Sequence, residues 1–162
     1  MSKTQENLAA AFAGESQANR KYLMFAEQAE KEGFAGVAKL FRAAAAAEQI
    51  HAFAEFKTNG GVGTTAENLK AAIGGETYEF TEMYPPMIEQ AKAENNNVVA
   101  RVFNLANEAE KVHAKLYTEA LNDMNGSEAD YYLCPICGYI HKGETTSPCP
   151  ICGAKASVFQ KF

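Results

Sequence analysis

From the N-terminus to about residue 124, apolar side chains recur at intervals of three and four, the period of one face of an α-helix. The first stripe, Leu8, Ala11, Phe12, Glu15, Ala18, Tyr22, Phe25 and Ala29, predicts a helix over residues 4–31, stopped by Glu32-Gly33-Phe34-Ala35-Gly36. So short a turn makes the second helix, residues 34–58, an antiparallel neighbour. Its stripe is Val37, Leu40, Phe41, Ala44, Glu48, His51 and Glu55, and its small alanine block at 43–47 lets another helix approach closely. A third helix starts at Thr65, read as its N-cap with Glu67 in the first turn, and carries Leu69, Ile73, Glu76, Glu79, Phe80, Met83 and Met87. Tyr84-Pro85-Pro86 falls inside this pattern and predicts a kink. After Asn95-Asn96-Asn97 a fourth helix, residues 98–124, places Val99, Phe103, Ala106, Glu110, His113, Tyr117 and Leu121 on one face.

Each stripe is interrupted by acids where Leu would be expected. A carboxylate on a buried seam costs several kcal/mol unless it is paired, protonated or bound to a cation. Glu48-Gln49-Ile50-His51 and Glu110-Lys111-Val112-His113 repeat one Glu-x-x-His spacing, which puts both side chains on one helical face. Glu15 precedes Glu48 by 33 residues and Glu76 precedes Glu110 by 34, so the two halves form an internal repeat and predict a quasi-symmetric four-helix bundle. Glu15, Glu48, His51, Glu76, Glu79, Glu110 and His113 would repel one another at mid-bundle; two cations bridged by carboxylates balance that charge. Oxygen and imidazole donors suit iron or manganese. A Glu from each of two helices plus Glu-x-x-His from the other two is the pattern of ferritin-like di-metal carboxylate proteins, and this chain has one acid more.

Composition changes past residue 126. Residues 127–130 read as a polar linker between a helical domain, residues 1–126, and a module, residues 131–162, rich in Pro, Gly, aromatic and Cys residues. All 4 cysteines lie in this module, as Cys134-Pro135-Ile136-Cys137-Gly138 and Cys149-Pro150-Ile151-Cys152-Gly153. In each knuckle Gly permits a tight turn that aims backbone N–H groups at thiolate sulfur, and four thiolates suit tetrahedral iron or zinc. Tyr139, Phe159 and Phe162 are the expected small core, and His141 is expected at the surface.

A net charge of −5 without basic runs argues against nucleic acid or an anionic membrane as partner. The opening residues lack the apolar core of a signal peptide, and no apolar run reaches the ~18 residues that span a bilayer. The expected compartment is the cytoplasm, where clustered cysteines point to metal before disulfides.

These motifs together resemble the rubrerythrin family. The likeness is carried by Ala13-Gly14-Glu15-Ser16-Gln17-Ala18, Gly75-Glu76 with Glu79, Thr81-Glu82-Met83-Tyr84-Pro85, both Glu-x-x-His motifs and both knuckles, in family order over nearly the whole chain. The resemblance implies an all-α four-helix ferritin-like bundle followed by a small rubredoxin-like domain with little regular structure. It implies a di-iron centre, an Fe(Cys)4 centre on Cys134, Cys137, Cys149 and Cys152, and reduction of hydrogen peroxide to water in oxidative-stress defence. The electron donor would be an NAD(P)H-dependent reductase or a rubredoxin. By the same resemblance Glu48 and Glu110 bridge the irons, Glu15, Glu76 and His113 are terminal ligands, Glu79 exchanges with His51 on reduction, and Tyr22 and Tyr84 hydrogen-bond around the centre. The rival readings are an iron-oxidising ferritin relative and a non-enzymatic helical interaction protein with a zinc ribbon.

Two distances predict a homodimer or higher homo-oligomer. In a ferritin-like bundle the second and third helices run parallel, so their connection climbs about 30 Å. Asn59 to Thr65 spans at most about 25 Å extended, a shorter crossover than family members commonly have. Helices one and two are therefore expected to pack with helices three and four of a second chain, a domain swap, unless residues 65–73 unwind. The module would begin roughly 22 Å from its own chain's centre, so that a head-to-tail partner brings a module closer.

Overall fold

The computed structural model describes residues 2–126 and 128–162; Ser127, where the expected linker begins, lies outside them. The chain forms two compact units, Met1–Gly63 and Thr64–Phe162.

The first unit is a helical hairpin of α1 (Lys3–Lys31) and α2 (Ala35–Thr58). A capping box opens α1: Ser2 Oγ accepts from the Gln5 N–H, and the Gln5 side chain accepts from the Ser2 N–H. Gly33, at φ 84°, closes it, with Phe34 N–H donating to the Ala29 carbonyl at 2.8 Å. The helices meet through small residues, Ala26 and Ala29 on α1 and Ala38, Ala45 and Ala52 on α2. The α2 alanines are seven residues apart, a continuous row that brings the backbones close. Asn19, also buried, donates from Nδ2 to the Ala45 carbonyl at 2.7 Å. The expected α2 stripe is therefore displaced. The alanine row takes the contact face, the seam bearing Glu48 and His51 lies beside it, and Val37 and Leu40 are 46% and 69% exposed.

The second unit contains α3 (Thr65–Tyr78), a π-helical turn (Glu79–Met83), α4 (Tyr84–Ala93) and α5 (Asn97–Asn122). The N-cap of α3 is Thr64, one residue before the expected Thr65: its Oγ1 accepts from the Glu67 N–H, and the Glu67 carboxylate accepts from the Thr64 N–H. Residues 65–73 are helical, so the chain does not lengthen its crossover by unwinding there. The helix also continues through Pro85-Pro86. Two successive prolines offer no N–H to the preceding turn, and the chain answers with a wider turn in which Tyr84 N–H reaches back to the Glu79 carbonyl.

That turn explains the unequal spacing of the two halves. The buried residues Ile88, Ala91, Ala100, Asn107 and Ala114 follow Ala26, Ala29, Ala38, Ala45 and Ala52 by 62 residues, as Glu110 and His113 follow Glu48 and His51. Glu76 follows Glu15 by only 61. The additional residue falls between Glu76 and Ile88, where the π turn accommodates it.

The rest of this unit is a small antiparallel sheet in the order β2-β1-β3, made of β1 (Tyr131–Leu133), β2 (Ile140–Lys142) and β3 (Gln160–Lys161). Its core is Cys134, Cys137 and Cys149, covered by Tyr139, Ile151, Ala154 and Phe159 and by Leu105 of α5. Phe162, expected in this core, is instead 71% exposed, because it follows the edge strand β3 at the rim of the sheet. Among the described residues no helix is long and apolar enough to cross a membrane.

Ala45 is 1% exposed, so Ala45→Leu overpacks the α1–α2 contact. It is expected to destabilise the protein by about 1–3 kcal/mol, read as a lower urea midpoint.

Candidate metal centres

Each helical unit gathers one cluster. In the first, α1 supplies Glu15 and α2 supplies Glu48 and His51, with ligand atoms within 4.8 Å of one another. His51 Nδ1 lies 3.0 Å from Glu48 Oε2. Glu15 and Glu48 share a hydrogen bond, which with partial desolvation and the Glu48 charge raises the Glu15 pKa above the ordinary carboxyl range.

In the second, α3 supplies Glu76 and α5 supplies Glu110 and His113, again within 4.8 Å. His113 Nδ1 lies 2.6 Å from Glu110 Oε2 and 3.5 Å from Glu76 Oε2. Burial, followed by a hydrogen bond and charge repulsion from Glu110, pushes the Glu76 carboxyl up to about 7. Glu79, in the π turn, is not part of this close group; burial and the Glu76 charge raise its pKa, and His113 opposes them. Tyr84 is held protonated by burial and by the nearby Glu110, Glu79 and Glu76 carboxylates, and its ring packs on Phe103 at 6.1 Å. Tyr22 packs among Phe25 and Phe41.

The third cluster is the four cysteines, with Cys134 Sγ 3.6 Å from Cys152 Sγ and Cys137 Sγ 3.5 Å from Cys149 Sγ. The knuckles are near copies. Cys134 N–H donates to Tyr139 O and Gly138 N–H to Cys134 O, while Cys149 N–H donates to Ala154 O and Gly153 N–H to Cys149 O. Gly138 and Gly153 sit at φ 81° and 77°, where a side chain would be strained. The N–H groups of Tyr139, Ile151, Cys152 and Ala154 address sulfur. Burial pushes the Cys137 thiol up; burial also acts on Cys149, but the Cys152 and Ile151 N–H groups, together with the neighbouring Cys137 and Cys152 thiols, outweigh it and hold that thiol low. His141 is no member of the cluster and accepts or donates at 3.1 Å to the Tyr139 hydroxyl.

The second and third clusters are joined. His113 Nε2 lies 2.8 Å from the carbonyl of Gly138, the residue after Cys137. A carbonyl at Nε2 fixes the proton on that nitrogen and leaves Nδ1 to face the carboxylates. This corrects the expectation that the module begins far from its own chain's site. The chain turns back after α5, so that the first knuckle lies along the helix at Leu105 and His113 rather than beyond its end. No sequence signal marks the contact, because its acceptor is a backbone atom. An apolar cavity of about 400 Å³ adjoins it, walled by His113, Leu69, Leu116, Tyr117, Leu133 and Phe162 among others.

The donor sets fit metal. In both carboxylate clusters neighbouring acids are hydrogen-bonded to each other, and a cation held between such oxygens would take the place of the shared proton. Tetrahedral thiolate bonds of about 2.3 Å put sulfurs roughly 3.8 Å apart, close to the separations here.

Comparison with known proteins agrees with this class, a ferritin-like carboxylate protein carrying a rubredoxin-like module. The Rubrerythrin family model matches residues 6–121, and the model of the rubrerythrin rubredoxin-like domain matches residues 132–160. Nigerythrin of Nitratidesulfovibrio vulgaris is 42% identical, over 98% of this chain and 86% of that protein. Rubrerythrin-2 of Clostridium acetobutylicum is 36% identical, over 98% of this chain and 96% of its own. A solved structure described as the fully reduced, all-ferrous state of nigerythrin superposes with a TM-score of 0.62 at 39% identity, covering 100% of this chain and 88% of that one. The chain belongs to the rubrerythrin family, whose metal centres are a di-iron carboxylate site and an Fe(Cys)4 site.

The raised Glu76 pKa carries a sign. Below the ordinary carboxyl range folded and unfolded chains both hold the proton; from there to about 7 only the folded chain keeps it; above that the folded chain carries a charge better solvated in the unfolded one. Metal-free protein is therefore expected to lose stability as pH rises from the ordinary carboxyl range to about 7, and to level off above it. Urea denaturation of Glu76→Gln should show a smaller loss than the parent across the same interval.

Proposed function

We propose that this protein is a non-haem di-iron peroxidase that reduces hydrogen peroxide to water in the cytoplasm, with electrons entering through the Fe(Cys)4 module from an NAD(P)H-dependent reductase or a rubredoxin. The observation that supports this reading is the His113–Gly138 hydrogen bond, which sets the four-cysteine module against a carboxylate cluster of the same chain. Iron storage needs no such module, and a structural zinc ribbon needs no half-buried acids beside it.

Glu48 and Glu110 would bridge the irons, Glu15, Glu76 and His113 would hold them terminally, and Glu79 and His51 would be alternative ligands in the two redox states. When bound, the irons would supply two electrons and Lewis-acid stabilisation of negative charge on oxygen. The protein's own groups supply the rest. Each peroxide reduced also consumes two protons, and the Tyr84 hydroxyl, kept protonated by burial and the nearby carboxylates, holds one beside the cluster. Gly138 keeps the His113 ring turned so that Nδ1 faces the site.

A full centre needs both clusters, and we assign one to each of two chains in a domain-swapped homodimer. Support comes from the short stretch between α2 and α3 and from the apolar side chains exposed on the first unit, Leu40, Phe53 and Phe25 among them.

Two experiments test these assignments. Cys134→Ser should abolish peroxide turnover driven by reductase while the di-iron absorption persists; undiminished turnover would contradict the electron route. Co-expression of an E48A/H51A chain with an E110A/H113A chain, each inactive alone, should restore about a quarter of parental activity, because a swapped heterodimer assembles one intact centre. If each centre belongs to a single chain, nothing is restored.

A further inference from the structure

The two histidines are held differently. His113 is 17% exposed and its Nε2 is fixed by the Gly138 carbonyl, whereas His51 is 56% exposed and, among the described residues, nothing is hydrogen-bonded to its Nε2. Metal-binding histidines almost always donate the second N–H to a carboxylate or carbonyl, which sets the tautomer and the ring orientation. The first unit has no knuckle to provide one. It does have Glu55, four residues beyond His51 on the same face of α2. Helical side chains lean toward the N-terminus, so the Glu55 side chain can reach the turn that carries His51. Its Oε2 is buried and has no hydrogen-bond partner, and its charge reaches Glu15. In the second half the corresponding position, 62 residues on, is Tyr117, where Gly138 already supplies the acceptor.

We infer that Glu55 is a positioning residue for the first half of the di-metal centre: its carboxylate accepts from His51 Nε2–H and turns Nδ1 toward the metal. This rests on the di-iron reading above. An acceptor buried without a donor destabilises the metal-free chain and gains its partner when His51 becomes a ligand.

The test is anaerobic titration of the full-length metal-free protein with ferrous ion, comparing the parent with E55L, E55Q, H51A and H51A/E55L. E55L is expected to bind iron at the carboxylate centre about 10-fold more weakly than the parent, with E55Q between them because its amide oxygen still accepts. H51A/E55L should match H51A, since Glu55 acts through His51. The metal-free E55L protein should melt no lower than the parent, which separates loss of positioning from loss of folding; the isosteric E55Q carries the comparison if E55L does not fold. Parental iron affinity in E55L, or an equal loss from E55L whether or not His51 is present, would overturn the role of Glu55 and leave the di-iron reading standing. If the parent itself takes up iron only at its thiolates, the di-iron reading falls and this proposal with it.

Discussion

Negative charge held at short range between helices is the constraint from which this fold follows. Glu15 with Glu48, and Glu76 with Glu110, are close enough to share protons, and among the described residues no Lys or Arg pairs with either. Such an arrangement is unfavourable for an empty protein and favourable for one that binds cations. The apolar seams, the alanine rows and the capped helix starts hold these acids where a helix pair alone would not keep them.

The alanine rows show how the geometry is fixed. Ala38, Ala45 and Ala52 in one half, and Ala100, Asn107 and Ala114 in the other, leave little side chain between neighbouring backbones. Close helices give adjacent seam residues short reach across the gap, and Glu to Glu contact becomes possible. Asn107 stands where the first half has Ala45, with a buried Oδ1 that lacks a hydrogen-bond partner. The halves are thus copies in layout, with polar differences confined to a few positions.

Much of this was readable from residue types. The Glu-x-x-His pairs lie on one face because the helical period puts them there, and the knuckles close as their glycines require. What escaped has physical reasons. Alanine favours helix at any position, so a row of alanines does not announce which face it will serve. Adjacent Thr64 and Thr65 are both competent caps, and only the register of Glu67 selects the first. A backbone acceptor such as the Gly138 carbonyl has no side-chain identity to read. The aromatic character of Phe162 suggested burial, but its place at the rim of a small sheet left it little to pack against.

The wide turn at Glu79–Met83 has a geometric consequence. An ordinary helical turn advances each side chain by a fixed angle, whereas a turn with an additional residue resets the azimuth of every side chain beyond it. Glu79 opens that turn, so its carboxylate leaves the helix just where the azimuth changes, one turn beyond Glu76. One additional residue thus lets the buried positions Ile88 and Ala91 regain the register of Ala26 and Ala29 although Glu76 stands one residue early.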